Sequence, residues 1–136
     1  MGVFLDANHV YRVLGALWKK AFELEEVRDK FAHLGVTVHF VIHEPESEIW
    51  LFSEGVIEGP TDKKPQGALL EMEMSGDTAH KFWMDKLSVP LAVAKRQIKA
   101  KGPINKVLGL LPQLKAIKQL YPDIAKQEGL SLGETK

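Results

Sequence analysis

Residues 70–88 have the sequence LEMEMSGDTAHKFWMDKLS, and their periodicity changes at Ser75. Apolar and polar side chains alternate from Ala68 up to this point, which predicts a strand with one face toward water. Ser75 or Asp77 is suited to cap a helix, and the residues that follow predict a helix ending near Leu87. The stretch therefore predicts a strand that leads directly into a helix.

Upstream of this stretch, the sequence predicts one long helix followed by three strands. Apolar residues recur near a helical period over residues 8–32, with Asn8 as the cap and Gly35 just beyond the end. Alternation over 36–43 predicts a strand with one apolar face, which pairs as a hairpin with a strand at 49–52 that is apolar on both faces. A short third strand is predicted at 55–58. The sheet, with its inserted helix, is expected to span residues 35–102.

Downstream, the pattern predicts a brief helix after Pro90, a basic strand at 97–101, and an apolar helix over 103–121. Pro112 lies inside this last helix and lacks the amide hydrogen that the helix needs, so a kink or a split is expected near it. The polar residues 122–136 are expected to form a loosely held tail.

The composition is that of an ordinary globular chain. With 45% hydrophobic and 26% charged residues, the 136 residues are expected to form a single domain with one core. The absence of cysteine excludes disulfides, thiolate metal sites and cysteine nucleophiles. Apolar runs are far shorter than the ~18 residues of a membrane-spanning helix, and the N-terminus does not resemble a secretory signal, so we expect a cytoplasmic protein.

The charges are divided unevenly along the chain. Residues 1–78 contain seven Lys and Arg against fourteen Asp and Glu, whereas residues 79–121 contain nine against one. Such a basic segment is compatible with nucleic acid, an anionic membrane surface, or a solvated face beside an acidic one. The charge pattern alone leaves these alternatives open.

The motif of residues 70–88, followed by Val89-Pro90 and by QIKAKG at 97–102, resembles the sterol carrier protein 2 family over about residues 35–120. The resemblance implies an α+β fold: a five-stranded mixed, mainly antiparallel sheet, covered by helices and enclosing an apolar tunnel. It also implies a tunnel ligand such as a sterol, fatty acyl chain, phospholipid or isoprenoid, with the C-terminal helix as a lid. The chain ends without a Ser-Lys-Leu peroxisomal address, which favours a prokaryotic cytoplasmic carrier.

An apolar ligand is bound mainly by removing its surface from water, so its site needs apolar walls. The tunnel-lining candidates are apolar residues of the strands, the inserted helix and the lid. They are Val38, Phe40, Ile42, Trp50, Phe82, Trp83, Leu87, Ile98, Ile104, Val107, Leu108 and Leu111. Because adjacent helical residues point ~100° apart, one of Phe82 and Trp83 is expected to line the tunnel and the other to pack elsewhere. Ordinary core packing is the alternative for each candidate.

The sequence predicts no catalytic residues, no metal site and no cofactor. His39 and His43 lie ~13 Å apart along one strand, too far to share a metal, and are expected to be exposed. Asp77 and His80 could meet on a helix, but Asp77 is better explained as a cap. No nucleophile elbow or phosphate-binding glycine loop is present. We therefore predict a binding protein that is not an enzyme.

The expected partner is a lipid or another apolar small molecule, with no nucleic acid. Five basic residues near the lid could make transient contact with an anionic membrane: Lys95, Arg96, Lys99, Lys101 and Lys106. The alternative is a non-catalytic interaction module or accessory subunit, which has the same fold with a filled core. A homodimer is also compatible with the acidic and basic halves.

Overall fold

The structure, a computed structural model, describes residues 2–130, except for the side chains of Ile104, Val107, Leu108 and Leu111. Five strands form one sheet. They are β1 (Val36–His43), β2 (Ser47–Phe52), β3 (Gly55–Glu58), β4 (Ala68–Ser75) and β5 (Ile98–Lys101). Their order across the sheet is β3-β2-β1-β4-β5, with β1 and β4 parallel and every other neighbouring pair antiparallel. The predicted mixed, mainly antiparallel sheet is confirmed.

The parallel pair at the centre of the sheet begins at two closely opposed glycines. Gly35 ends the preceding helix with φ of 63° and Gly67 precedes β4 with φ of 71°, both in the left-handed region. The amide of Ala68 donates to the carbonyl of Gly35 over 3.0 Å, which starts the register Val36 opposite Ala68. A side chain at Gly67 would overlap the Gly35 carbonyl, whereas one at Gly35 would meet open space.

We predict that Gly67→Ala destabilises the protein more than Gly35→Ala does. Both substitutions incur the left-handed penalty of about 1–2 kcal/mol, but only that at Gly67 also forces the two backbones apart at the start of β4. Urea unfolding of the two variants measures the difference. Equal losses of unfolding free energy would show that the close approach of the two glycines is unimportant.

The N-terminal helical region consists of two helices, so the single helix expected over residues 8–32 is wrong. Helix α1 contains α-helical Ala7–Val10, a π-helical turn at Tyr11–Gly15 and α-helical Ala16–Ala21, and helix α2 is Glu25–Leu34. The chain breaks between them because Leu24 adopts an extended conformation. The cap of α1 is Asp6 rather than Asn8, since its side chain accepts from the amide of His9.

Two short helices follow β4. Helix α3 (Gly76–Trp83) is capped by Ser75, whose hydroxyl accepts from the amide of Thr78, and it ends before the predicted Leu87. Asp77 instead accepts from the amide of Val3 over 2.7 Å, which holds the N-terminal segment. Helix α4 (Val89–Ala94) is capped by Ser88 and carries Pro90 in its first turn, as predicted.

The C-terminal region is divided at Pro112, as predicted. Helix α5 (Ile104–Val107) is followed by a 3-10 turn at Leu108–Leu110 and by helix α6 (Leu111–Lys118), which has the proline in its first turn. The turn before the proline is 3-10 and not α-helical, so the ring avoids the clash that a proline inside a continuous α-helix causes.

Residues 121–127 form a further helix, so the loosely held tail expected from residue 122 is wrong over this stretch. Helix α7 (Tyr121–Gln127) buries Tyr121, Ile124 and Ala125 in the core. The Tyr121 hydroxyl lies 2.7 Å from Nδ1 of His80, and burial raises the pKa of this tyrosine well above its usual value. At its far end, the carbonyl of Glu128 lies 3.0 Å from the ring of the buried His9. Residues 131–136 of the expected tail lie outside the described residues.

The helices pack against one face of the sheet and the apolar core lies between them. No helix among residues 2–130 is long and apolar enough to span a bilayer.

Candidate functional site

An apolar cavity lies between the sheet and the helices. Its floor is one face of four strands, and the register places the floor residues in rows across the sheet. Val38 pairs with Leu70 on one side and with Leu51 on the other. Towards the free edge, Met72 pairs with Ala100. The full floor contains Val38, Phe40, Ile42, Ile49, Leu51, Leu70, Met72, Met74, Ile98 and Ala100.

The helices and the 3-10 turn supply the walls and roof of the cavity. These residues are Leu14, Trp18, Phe31, Ala79, Phe82, Trp83, Val89, Val93, Leu110 and Leu114. Trp18 is the central ring, lying edge to face with Trp83 at 5.5 Å between centroids and 5.9 Å from Phe40. Edge-to-face contact is a favoured geometry of aromatic pairs and contributes about 0.5–1.5 kcal/mol beyond the area that the rings bury.

The cavity has a volume of about 170 Å³, and every described residue that lines it is apolar. Val93 of α4 is the most exposed of these residues, at 42%. Phe82, Val89, Ala100 and Leu114 are half-buried. We place the mouth of the cavity beside Val93, between α4, β5 and α6.

One polar contact links α6 to the loop that precedes α4. Lys118 of α6 pairs with Asp85, in the loop between α3 and α4, over 3.0 Å. The same ammonium group lies 4.5 Å from the ring centroid of Phe82. Because the Asp85 side chain is 79% exposed, the ion pair is a weak restraint, and the cation–π contact adds about 0.5–1 kcal/mol at an exposed site. The link between α6 and the loop before α4 is therefore easily broken.

Six of the predicted lining residues lie at the cavity. They are Val38, Phe40, Ile42, Phe82, Trp83 and Ile98. The expectation that only one of Phe82 and Trp83 lines the cavity is wrong. Their ring centroids are 4.8 Å apart and the planes meet at 77°, so the rings diverge and yet both reach the wall.

Trp50 and Leu87 are not at the cavity. Trp50 pairs with His39 across β1 and β2, and both side chains point to the opposite face of the sheet. Leu87 is half-buried and packs against the core, but it is not among the lining residues. The other four candidates are Ile104, Val107, Leu108 and Leu111, whose side chains the structure does not describe.

Several lining residues were not predicted from the sequence, notably those of the first two helices in the walls and those of β2 in the floor. Leu14, Trp18 and Phe31 line the cavity, and their helical spacing shows only that they are buried. Ile49 and Leu51 line it because they pair with Phe40 and Val38. For β2, the face that lines the cavity could be assigned only from the register of its hairpin with β1.

The opposite face of the sheet carries a polar network. The ring of His39 lies between Glu48, 2.8 Å from Nε2, and Glu71, 3.1 Å from Nδ1, and it stacks on Trp50 with 3.7 Å between centroids. The expectation that His39 is exposed is therefore wrong, since it is only 8% exposed. The two carboxylates are on opposite sides of the ring, so they cannot bind one metal with it, and no metal-binding group of His, Asp and Glu is found within residues 2–130.

His43 makes a second bridge on the same face. Its ring contacts Glu73 over 2.6 Å and Glu46 over 2.8 Å. Hydrogen bonds to these two carboxylates, Glu73 first, raise the pKa of His43. The hydrogen bond from His43, aided by the nearby Lys99 and Lys101, lowers the pKa of Glu73.

We predict that this bridge stabilises the fold at mildly acidic pH and loses its effect as the pH rises. The raised pKa of His43 gives a stabilisation that is complete below about pH 6.5 and is lost as the pH passes the folded-state value. The lowered pKa of Glu73 gives a second stabilisation, which is present above about pH 4.5 and is lost as the pH falls through the folded-state value. His43→Gln should therefore lower the urea midpoint more at pH 5.5 than at pH 8.5.

Glu73→Gln serves as the control for this prediction. It removes the stronger of the two hydrogen bonds that raise the pKa of His43, so in its background the effect of His43→Gln should depend less on pH. If His43→Gln alone lowers the urea midpoint equally at pH 5.5 and pH 8.5, the bridge between His43 and Glu73 does not stabilise the fold as proposed.

The five basic residues predicted near the lid do not form one patch. Lys95 and Arg96 directly follow α4 and are exposed. Lys99 and Lys101 alternate with the floor residues of β5 and pair in register with Glu73 and Glu71 on the opposite face. Lys106 donates to the carbonyl of Leu34 over 2.9 Å, at the end of α2. Only the first two lie beside the cavity mouth.

The fold matches solved structures of sterol carrier protein 2 domains. Sterol carrier protein 2 from Yarrowia lipolytica, in its apo form, is 13% identical and superposes with a TM-score of 0.62 over 87% of this chain and 98% of its own. The sterol carrier protein domain 2 of Helicoverpa armigera is 14% identical, with a TM-score of 0.63 over 81% of this chain and 88% of its own. No protein-family model and no curated protein sequence matches the chain. The chain therefore has the sterol carrier protein 2 fold, as the sequence predicted.

Proposed function

We propose that this chain, which has the sterol carrier protein 2 fold, binds an apolar, lipid-like molecule in the cavity between its sheet and its helices. The observation that carries the proposal is the cavity itself, whose described lining contains only apolar residues. A protein interior normally has few voids larger than a water molecule, so an apolar space of this size is unusual in a packed core. Filling such a space with hydrocarbon is favourable, because it removes apolar surface of the ligand from water.

The lining also restricts which part of a ligand enters. Burying a charged or hydrogen-bonding group there would cost several kcal/mol, because the described walls offer no polar side chain to receive it. The hydrocarbon part of the ligand therefore occupies the cavity and any polar headgroup stays at the mouth beside Val93. A fatty acyl chain, a sterol-like molecule and an isoprenoid all meet this requirement.

The volume of the cavity indicates that a large ligand must widen it. An engineered apolar cavity of about 150 Å³ holds one benzene molecule, and the cavity described above is about 170 Å³. A longer hydrocarbon would enter by separating α4 from α6, which breaks the weak pair between Lys118 and Asp85. The flexible side chains of Met72 and Met74 can then adapt to chains of different shape. The same opening would allow the ligand to be released, which is the basis for proposing transfer between membranes in the cytoplasm.

The alternative of an accessory subunit requires a filled core. The cavity argues against it, since the large residues around Trp18 leave the space open instead of closing it. We therefore favour ligand binding over a role limited to protein contacts.

Filling the cavity tests the proposal. Ala100→Phe puts a large ring on the floor near the mouth, so uptake of a fluorescent fatty acid should fall by at least tenfold while the circular dichroism spectrum remains that of a folded protein. The matched control is Lys99→Phe, one position earlier on the same strand and on the opposite face of the sheet. Uptake by this variant should equal that of the unmodified protein. Equal uptake by both variants, or none by the unmodified protein, would contradict binding in the cavity.

A series of alkanols of increasing length gives a second test. Each methylene removed from water contributes about 0.8 kcal/mol, so the affinity should rise about fourfold per carbon until the chain exceeds the available space. Displacement of the fluorescent fatty acid measures these affinities. An affinity that is independent of chain length would indicate a polar surface site instead.

A further inference from the structure

We infer that helix α4 docks on the surface of an anionic lipid bilayer, with Leu91 and Val93 entering the interface and Lys86, Lys95 and Arg96 contacting the lipid phosphates. This inference rests on the proposed function, because it identifies the surface from which the cavity receives its ligand. It is carried by the exposed apolar residues of α4, by the charges at its two ends and by its position at the mouth.

Helix α4 has an apolar outer side. Leu91 is 53% exposed and Val93 is 42% exposed, whereas Ala92 between them is buried at 1% and anchors the helix to the core. Among the described residues, only Leu5 and Leu69 are other large apolar residues with high exposure, and neither is on a helix. Leu91 and Val93 are two positions apart and so point to opposite flanks of the helix, and the exposed Pro90 and Ala94 lie between them on the outer side. The outer side is therefore apolar from one flank to the other, and water solvates it poorly.

Positive charges bracket this outer side. Lys86 precedes α4 and Lys95 and Arg96 follow it, and all three are exposed. The acidic residue nearest to them in sequence, Asp85, is paired with Lys118. An apolar side flanked by Lys and Arg is the pattern of interfacial helices, in which each cation near an anionic membrane strengthens binding. The charges therefore favour a bilayer over an apolar protein groove.

The same helix forms one wall of the cavity. Val89 and Val93 lie four residues apart on one side of α4 and both line the cavity, and Val93 is also exposed. Docking through α4 would bring the mouth against the hydrocarbon, so that a lipid chain could pass into the cavity without crossing water. Lipid phosphates near the mouth would also compete with Asp85 for Lys118 and so favour opening.

Co-sedimentation with vesicles tests this inference. The unmodified protein should bind vesicles of phosphatidylcholine mixed with phosphatidylglycerol at low salt, and should bind pure phosphatidylcholine vesicles much less. Leu91→Gln should lower the partition coefficient about tenfold, because it removes apolar surface and adds an amide that must stay hydrated. Leu69→Gln is the matched control, since Leu69 is exposed on the sheet face that points away from the cavity, and its partition should be unchanged.

The charges are tested in the same assay. Lys95→Gln combined with Arg96→Gln should weaken binding at low salt and reduce its dependence on salt. The control pair is Lys19→Gln with Lys20→Gln on α1, because Lys19 contacts Glu58 of β3, at the sheet edge opposite β5. Equal losses for both pairs, or equal losses for Leu91→Gln and Leu69→Gln, would overturn docking through α4.

Uptake of the fluorescent fatty acid in vesicle-free solution separates this inference from the proposed function. Leu91 is not among the lining residues, so Leu91→Gln should take up the probe as the unmodified protein does. If the unmodified protein takes up the fluorescent fatty acid normally but does not bind anionic vesicles, the docking inference alone is overturned. That outcome would indicate a protein partner for α4. Failure of the unmodified protein to take up the probe would overturn the proposed function.

Discussion

The parallel pairing of β1 with β4 determines how the rest of the protein is arranged. Parallel neighbours cannot be joined by a tight turn, so the chain must make a long crossover between them. Here the crossover contains β2, β3 and the loop at residues 59–67, which places β2 and β3 on the far side of β1. All eight residues of β1 pair with β4, and this register sets the rows of side chains that form the cavity floor. The close approach of Gly35 and Gly67 starts the register.

The cavity persists because the residues around it are unequal in size and are held in fixed orientations. Trp18 is in edge-to-face contact with Phe22, Phe31 and Trp83, so its ring cannot turn to fill the space. Ala79 and Ala100 contribute little volume at the wall and the floor. The described lining is apolar throughout, which is what the proposed binding by hydrocarbon contact requires.

The order of elements was predictable from the sequence because each change in periodicity is sharp. The alternation of residues 68–75 stops at Ser75, whose hydroxyl caps the next helix. The break between α1 and α2 was not predictable, because Phe22 and Val27 continue the apolar spacing across it. The helix after Tyr121 was not predicted because residues 122–136 are mostly polar. Pro122 occupies its first turn, where proline is well tolerated, and the few apolar residues of the helix are buried.

The candidate site was predictable only where one face of an element is clearly polar. Val38, Phe40 and Ile42 alternate with polar residues or with one valine, so their side of β1 could be assigned. In β2, both Trp50 and its neighbours are apolar, and a strand of period two then has no preferred face until its partner is known. The burial of His39 was not predictable either. Alternation along β1 places its ring on the solvent side, but Trp50 stacks on the ring and two carboxylates contact it.

The two bridges of His39 and His43 on the outer face of the sheet have a consequence for how this protein could evolve or be redesigned. They join β1 to β4 directly and, through Glu48, to β2, without any contribution from the residues that point into the cavity. The contacts that hold the strands together and the side chains that shape the cavity thus lie on opposite sides of the same backbone. Substitutions on the inner side can then change the shape of the chamber over many variants, while the scaffold that carries it keeps its own source of stability.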